Sequence, residues 1–199
     1  MTLVDRVRNI CVSPSTEWPV IEQENTPQAE LITGYLLPLA AVGAIAGVIG
    51  GSIIGVSVPF AGTYRAPLLG SLVGACIGLV FTVIGCFVIG LIINALAPTF
   101  GARQDANQAF KTSIYCYTPV LIGGVARVLP VLGGLVSIVA GLYSLYVLYL
   151  GLPVTMKVPR DKAPGYTVVI VICAIILGVV ISGVALVLGG LGLVGARLF

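Results

Sequence analysis

Residue types that carry out chemistry are scarce in this sequence of 199 residues. It contains no His, which excludes His-based metal sites, Ser–His and Cys–His nucleophile pairs, and an imidazole pH switch. The five Cys form no C-x-x-C pair, and four of them lie within apolar runs, as is typical of buried thiols. No carboxylate lies within an apolar run, which disfavours proton-coupled transport and intramembrane acid–base catalysis. The sequence therefore predicts no catalytic residue, no metal site and no cofactor.

Two side chains are candidates for contact with lipid or with a partner. Arg127 falls at the end of an apolar run, where an arginine either extends to the headgroups or holds a lipid phosphate or an acidic group. Trp18, the only Trp, is of the type enriched at membrane interfaces. The net charge of +3 comes without a basic cluster, so nucleic acid is not an expected partner.

Glycine recurs every fourth residue in two of the apolar runs. One row is Gly43, Gly47, Gly51 and Gly55, the second is Gly70, Gly74 and Gly78, and a weaker row of small residues is Ala174, Gly178 and Ser182. Small residues on one helix face let two backbones approach closely where lipid provides no hydrophobic driving force. We interpret the glycine rows as packing faces that bring the first two spans together. A homodimer face and a glycine-lined passage are the alternatives, and the pattern does not distinguish packing within one chain from packing between chains.

Proline and glycine also occur together at Pro119, Gly123 and Gly124. Because proline removes a backbone donor, we expect this helix to be bent or partly unwound. Such a break is typical of transporter sites and also of irregular helical bundles.

The composition indicates which solvent surrounds the elements that carry these residues. The chain is 58% hydrophobic and 9% charged, whereas an ordinary soluble domain has about 25% charged residues. So few charges do not cover the surface of a soluble fold of this size, which excludes a soluble enzyme. The sequence predicts an all-α protein whose solvent is the bilayer.

Four long apolar stretches predict five transmembrane helices. A span needs about 20 residues, so the third stretch is long enough for two, and Arg127 with Pro130 marks the turn between them. The predicted spans are Leu31 to Val58, Leu68 to Ala97, Ser113 to about Val128, Pro130 to Leu152, and Tyr166 to Val194.

Lys and Arg in the connecting segments predict the orientation. One side has seven positive charges and the other has three: Arg6, Arg8, Arg103, Lys111, Lys157, Arg160 and Lys162 against Arg65, Arg127 and Arg197. We therefore expect a multi-pass protein of the cytoplasmic (inner) membrane, with its N-terminus in the cytoplasm and its C-terminus outside.

Residues 1–30 form a cytoplasmic segment ahead of the membrane domain at residues 31–199. Apolar residues recur at helical spacing from Leu3 to Cys11, and Pro14 follows them. This pattern predicts a short amphipathic helix on the membrane surface, with a partner-binding helix as the alternative.

Several motifs along the chain, taken in order, resemble the Yip1 domain family. They are P-S-T-E-W-P-V-I (Pro14 to Ile21), N-A-L-A-P-T-F-G (Asn94 to Gly101), Q-A-F-K (Gln108 to Lys111), Y-C-Y-T-P (Tyr115 to Pro119), L-P-V-L-G-G (Leu129 to Gly134), L-Y-S-L-Y-V-L-Y-L-G-L-P (Leu142 to Pro153) and D-K-A-P-G-Y (Asp161 to Tyr166). The resemblance implies a five-span membrane protein with no catalytic residue. Eukaryotic members act in secretory trafficking with Rab-type small GTPases and carry a long cytosolic N-terminal region. This chain is similar to the short prokaryotic branch, which disfavours a GTPase partner.

The leading functional hypothesis is a non-enzymatic membrane protein that organises lipid or other proteins through helix packing. Its expected partners are membrane lipids, a second copy of the chain or another membrane protein. The alternative is a passive channel or a small-solute or lipid transporter, with its path near Pro119, Gly123 and Gly124.

Overall fold

The computed structural model describes residues 1–58 and 62–195, which are helical except for one short hairpin and the connecting segments. Two short helices come first, α1 (Leu3–Val12) and α2 (Pro14–Gln23). The Thr2 hydroxyl accepts a hydrogen bond from the Asp5 N–H at 3.2 Å, and the Asp5 carboxylate accepts one from the Thr2 N–H at 3.3 Å. This capping box satisfies donors that the first turn leaves free. Pro14 begins α2, where its missing N–H removes no helical bond.

The first apolar helix, α3 (Gln28–Ile54), begins three residues before the predicted start and contains two π-helical stretches. The first, Ile32–Leu36, lies just ahead of Pro38, where the wider turn accommodates a residue without an N–H. The second, Ile49–Ile54, ends at Gly55, which has φ +88°. The predicted span to Val58 is therefore too long, because this backbone conformation ends the helix.

A two-stranded hairpin follows α3. Strand β1 (Val56–Val58) pairs antiparallel with β2 (Gly62–Tyr64), with Val56 opposite Tyr64 and Val58 opposite Gly62. Helix α4 (Leu68–Phe100) then runs the length of the bundle, and its last turn is 3₁₀. It stops at Gly101, which takes the left-handed conformation (φ +67°) that favours glycine after a helix.

The segment predicted as the third span is divided into three short pieces. They are α5 (Ala106–Cys116), α6 (Thr118–Gly123) and a 3₁₀ turn at Gly124–Val128. Asp105 caps α5 by accepting hydrogen bonds from the N–H groups of Asn107 and Gln108, both at 3.1 Å. The helix breaks at Tyr117, immediately before the Thr118–Pro119 pair, because Pro119 has no N–H to continue the ladder.

Two long helices complete the bundle, α7 (Pro130–Thr155) and α8 (Ala163–Gly195). The chain reverses at Leu129, which is extended, so the predicted turn between Arg127 and Pro130 is confirmed. Among the described residues, α3, α4, α7 and α8 are the four helices long and apolar enough to cross a membrane. Much of their surface is apolar and exposed, as for Leu135 on α7 and Val179 on α8.

The three segments that the sequence predicts on the cytoplasmic side meet at one end of the bundle. The Arg103 N–H donates to the Met156 carbonyl at 2.8 Å, which joins the loop after α4 to the loop after α7. The side chains of Gln108 and Lys111 donate to carbonyl oxygens of the N-terminal segment. The buried core lies at this end, with Trp18, Leu152 and Tyr166 among its largest side chains.

Candidate functional site

The N-terminal helices are held on the bundle by a buried polar cluster, the N-terminal clasp: Arg6, Glu17, Glu24 and Lys111. The Arg6 guanidinium pairs with the carboxylates of Glu17 and Glu24, and Asn9 donates to Glu17 at 3.0 Å. Arg6 is 6% exposed and Glu17 is 4% exposed. Because the buried charges of Arg6 and Glu17 face opposite charges, these two side chains avoid the penalty of an unpaired ion.

Lys111 on α5 completes the clasp from the membrane domain. Its ammonium donates to the carbonyl oxygens of Ile21, at 2.9 Å, and of Glu24. Burial lowers the pKa of Lys111, and the Glu24 carboxylate opposes that shift. At the rim, Lys157 pairs with Glu22 at 2.9 Å. The sequence analysis treated Lys111 as an ordinary loop charge, and the Q-A-F-K motif is the only sequence signal that singles it out.

Trp18 anchors α2 against α7 inside this end of the bundle. Its side chain is 1% exposed, and its indole N–H donates to the Val147 carbonyl at 3.1 Å. The ring lies against Gly151, where a Cβ would come within 2.6 Å of the indole. The structure thus places Trp18 in a contact within the chain, whereas the sequence analysis placed it at the membrane interface.

A cavity of about 840 Å³ lies between α3, α4, α6, α7 and α8. Its volume falls in the range of small-molecule sites, roughly 300–1,000 Å³. Half of its lining residues are Gly, Ala or Ser, and most of the others are apolar. Of the lining residues that the structure describes, Arg127 is the only charged one.

The two predicted glycine rows do not meet face to face. Gly43 packs on the third segment, where a Cβ would lie 3.5 Å from the Leu121 carbonyl oxygen and 3.7 Å from Gly124 Cα. A Cβ at Gly47 would lie 3.9 Å from Arg127 Cδ, and one at Gly50, which the rows omit, would collide with the Arg127 carbonyl oxygen. Of the five remaining row positions, Gly55 ends α3. At the other four, Gly51, Gly70, Gly74 and Gly78, no atom lies within 4 Å of a Cβ.

The small residues on α4 and α8 form walls of the cavity. Gly74 and Gly78 line it from α4, and Ala174, Gly178 and Ser182 line it from α8. No atom of another element lies within 4 Å of a Cβ placed at Gly178. Small side chains on these two helices therefore leave space between them.

The predicted break at Pro119, Gly123 and Gly124 lies beside the cavity. Pro119 and Gly123 are buried, and a Cβ at Gly123 would lie only 2.7 Å from that of Ala140 on α7. Gly124 lines the cavity and approaches Gly43 on α3. These residues let the third segment pack closely on two neighbours while it forms one wall of the cavity.

Two polar side chains in the cavity lack partners among the residues that the structure describes. Arg127 is exposed and forms no salt bridge there. Ser144 on α7 is 8% exposed, and its hydroxyl has no hydrogen-bond partner. A buried hydroxyl without a partner is uncommon, because its desolvation is not compensated. Sequence reasoning missed Ser144, since a single Ser in an apolar helix carries no distinguishing signal.

The described residues bring few reactive groups together at the cavity. Within residues 1–58 and 62–195, no group of three or more Cys, Asp or Glu side chains is placed to hold a metal ion. The cysteines are unpaired, with Cys86 and Cys116 buried beside the cavity. What the cavity offers is apolar surface, one cation and several hydroxyls, of which the buried one of Ser144 has no partner among the described residues.

Fold and cavity together define a polytopic helical membrane protein. The family model for the Yip1 domain matches residues 8–196, and the chain belongs to that family. It is similar to the protein named inner membrane protein YohC of Escherichia coli strain K12, with 25% identity over 184 residues, covering 90% of this chain and 93% of the relative. The protein of the same name from Escherichia coli O6:H1 matches to the same extent. No solved structure matches the chain significantly.

Proposed function

We propose that this chain is a non-enzymatic protein of the inner membrane that organises lipid by holding it in the cavity between its helices. The observation that carries this proposal is the cavity itself, about 840 Å³ of mostly apolar space bounded by membrane-capable helices. Lipid tails are the apolar molecules that surround such helices at high concentration. The name of the Escherichia coli relative supports the inner-membrane location.

The proposed topology has five spans, of which the broken segment from Ser113 to about Val128 is the third. Three segments gathered at one end carry seven of the positive charges, which supports a cytoplasmic N-terminus. Val4 and Val12 on α1 are each 71% exposed and would contact the headgroup layer.

Single cysteines introduced by Arg8→Cys and Arg65→Cys in a Cys-free background test the proposed orientation. The cysteine at position 8 should react only from the cytoplasmic side, and the cysteine at position 65 only from the outside.

Native mass spectrometry after purification in mild detergent tests lipid binding. The parent should retain lipid, and Gly78→Leu, which fills the cavity from α4, should lose most of it. Gly134→Leu is the matched control, because Gly134 on α7 also has open space around a Cβ but does not line the cavity. A strict monomer that retains neither lipid nor protein would contradict the proposal. A second copy or another membrane protein, the alternative partners, would be counted in the same spectra.

A passive path for a small solute or lipid is the second candidate, because hydroxyls from Ser71, Thr82 and Ser182 also line the cavity. Flux from liposomes should then differ between the parent and Pro119→Ala, which alters the break beside the cavity. If liposomes that contain the parent protein show the same flux as protein-free liposomes, this candidate is excluded for the solutes tested.

A further inference from the structure

The cavity has the dimensions of an extended chain. Its lining on α4 runs from Ser71 to Ile89, which is about 27 Å along an α-helix. Its lining on α8 runs from Ile170 to Ala185, which is about 22 Å. A slot of this length, walled mostly by small and apolar residues, matches a hydrocarbon chain lying along the helices better than a compact solute.

One end of this slot has a cation and no anion to pair with it. All seven carboxylates of the chain lie in the N-terminal segment or in the two loops at the clasp end: Asp5, Glu17, Glu22, Glu24, Glu30, Asp105 and Asp161. Among the described residues, the opposite end, formed by residues 49–58, 62–71 and 124–134, contains Arg65 and Arg127 and no carboxylate. A guanidinium in this position binds a phosphate through short, charge-assisted hydrogen bonds.

The Ser144 hydroxyl supplies a second, deeper polar point. Gly133, near the start of α7, packs on Arg127, since a Cβ there would lie 3.1 Å from Arg127 Cα, and Ser144 lies eleven residues further along α7. The two backbones are therefore separated by about 16 Å along the bundle. The length of an arginine side chain and a phosphate cover much of this distance. The ligand then needs an acceptor for the hydroxyl just below its phosphate, followed by apolar chain.

We infer that the cavity binds an anionic phospholipid, with the phosphate on Arg127, an ester carbonyl toward Ser144 and an acyl chain along the small residues of α4 and α8. This rests on the proposed function and specifies the lipid that it requires. A zwitterionic phospholipid also has a phosphate, but its ammonium group finds no carboxylate at this end. The geometry therefore selects a lipid with net negative charge.

The test is titration of the delipidated full-length protein in detergent, followed by native mass spectrometry. The lipids are phosphatidylglycerol and phosphatidylethanolamine with identical chains, and glycerophosphoglycerol serves as the headgroup without chains. Phosphatidylglycerol should bind at least tenfold more tightly than phosphatidylethanolamine, and glycerophosphoglycerol should not bind in the same range. Arg127→Gln should abolish the preference, whereas Arg65→Gln, which removes a cation at the same end outside the cavity, should keep it. Ser144→Ala should weaken both phospholipids by a few fold.

The possible failures are distinguishable. Binding of both phospholipids with equal affinity, unaffected by Arg127→Gln, overturns this inference and leaves the proposed lipid-holding function intact. Equal binding of glycerophosphoglycerol and phosphatidylglycerol overturns the role of the chain and assigns the site to free phosphates. Absence of any lipid binding by the folded protein, checked by Trp18 fluorescence, overturns both proposals. If Arg127→Gln does not fold, Arg127→Lys should preserve the preference for phosphatidylglycerol with lower affinity.

Discussion

Buried charged groups have partners within the chain at the clasp end of the bundle, whereas two polar groups at the cavity lack them among the described residues. At the clasp end, the buried Arg6 and Glu17 pair with each other, and the buried Lys111 donates to carbonyl oxygens. At the cavity, Arg127 and the buried Ser144 hydroxyl have no partner among the described residues. Polar groups satisfied within the chain stabilise its fold, whereas polar groups left unsatisfied beside a large cavity indicate where a ligand belongs.

The glycines also divide into two groups, those packed against side chains and those that border open space. Gly151 and Gly123 lie against side chains so closely that a Cβ would force a rearrangement. Gly74 and Gly78 on α4 have no neighbour within 4 Å of a Cβ and instead border the cavity. A glycine in a membrane helix therefore serves either close packing or open space, and its spacing along the sequence does not distinguish these uses.

The largest expected effect is at the clasp. Glu17→Ala leaves the buried Arg6 with one of its two carboxylates, so we expect the free energy of unfolding to fall by about 3 kcal/mol. Thermal unfolding in detergent, followed by Trp18 fluorescence, measures this. Glu30→Ala is the control, because Glu30 is exposed and should change stability by less than about 0.5 kcal/mol. Equal stability of the two variants would show that the clasp does not hold the N-terminal helices.

The second-largest change in stability is expected from the difference between packed glycines and glycines beside open space. Gly123→Ala should destabilise the protein by about 1–3 kcal/mol, because the new methyl group meets Ala140 at 2.7 Å. Gly78→Ala has open space and should be neutral, or stabilising by up to about 1 kcal/mol through higher helix propensity. Unfolding midpoints of the two variants in the same detergent test this, and a reversed order would refute the distinction.

A smaller effect is expected at the contact between α2 and α7. Trp18→Phe removes the indole N–H and leaves the Val147 carbonyl without that donor, at a cost of about 1 kcal/mol. Tyr146→Phe on α7 is the control, because that side chain is half exposed. Urea titration of both variants, followed by circular dichroism, measures the difference. No loss of stability in Trp18→Phe would mean that the hydrogen bond contributes nothing measurable.

The smallest effect concerns the exposed start of α1. Hydrogen bonds from Thr2 hold the pKa of Asp5 below its ordinary value of 3.8. A lowered carboxyl pKa stabilises the helix cap above pH 3.8, and this stabilisation is lost as the pH falls through the folded-state pKa. An NMR titration of the Asp5 carboxyl carbon should show the lowered pKa, and Thr2→Ala should return it toward 3.8. An unchanged pKa in Thr2→Ala would assign the shift to another cause.

Much of the helical framework follows from the sequence. The predicted starts at Leu68 and Pro130 coincide with helix starts in the structure, and the chain does break beside Pro119. The end of the first span was predicted too late, since hydropathy continues through Gly55 whereas its backbone leaves the helix. Arg197, which the sequence predicts on the outer side of the membrane, lies outside the described residues.

The candidate site was less predictable. Arg127, Gly43 and Gly124 are recognisable in the sequence as candidates, but the sequence does not indicate that they surround one cavity. The row Gly70, Gly74 and Gly78 predicts a packing face, a homodimer face or a glycine-lined passage, and within the described residues no atom lies within 4 Å of a Cβ at these positions. Lys111 and Ser144 were also missed, because neither burial nor the absence of a hydrogen-bond partner is a property of a single position.

The sequence by itself determined that this is a helical membrane protein of the Yip1 family, where its apolar helices lie, and that its carboxylates are confined to one set of segments. These are local properties, since hydropathy, proline and charge act on the residues beside them. Only the tertiary structure decided that the N-terminal helices dock through buried ion pairs, and that small residues on α4 and α8 border a cavity while Gly123 packs tightly. The reason is that contact and empty space depend on how each helix is rotated against neighbours distant in the chain, which helical periodicity alone does not specify.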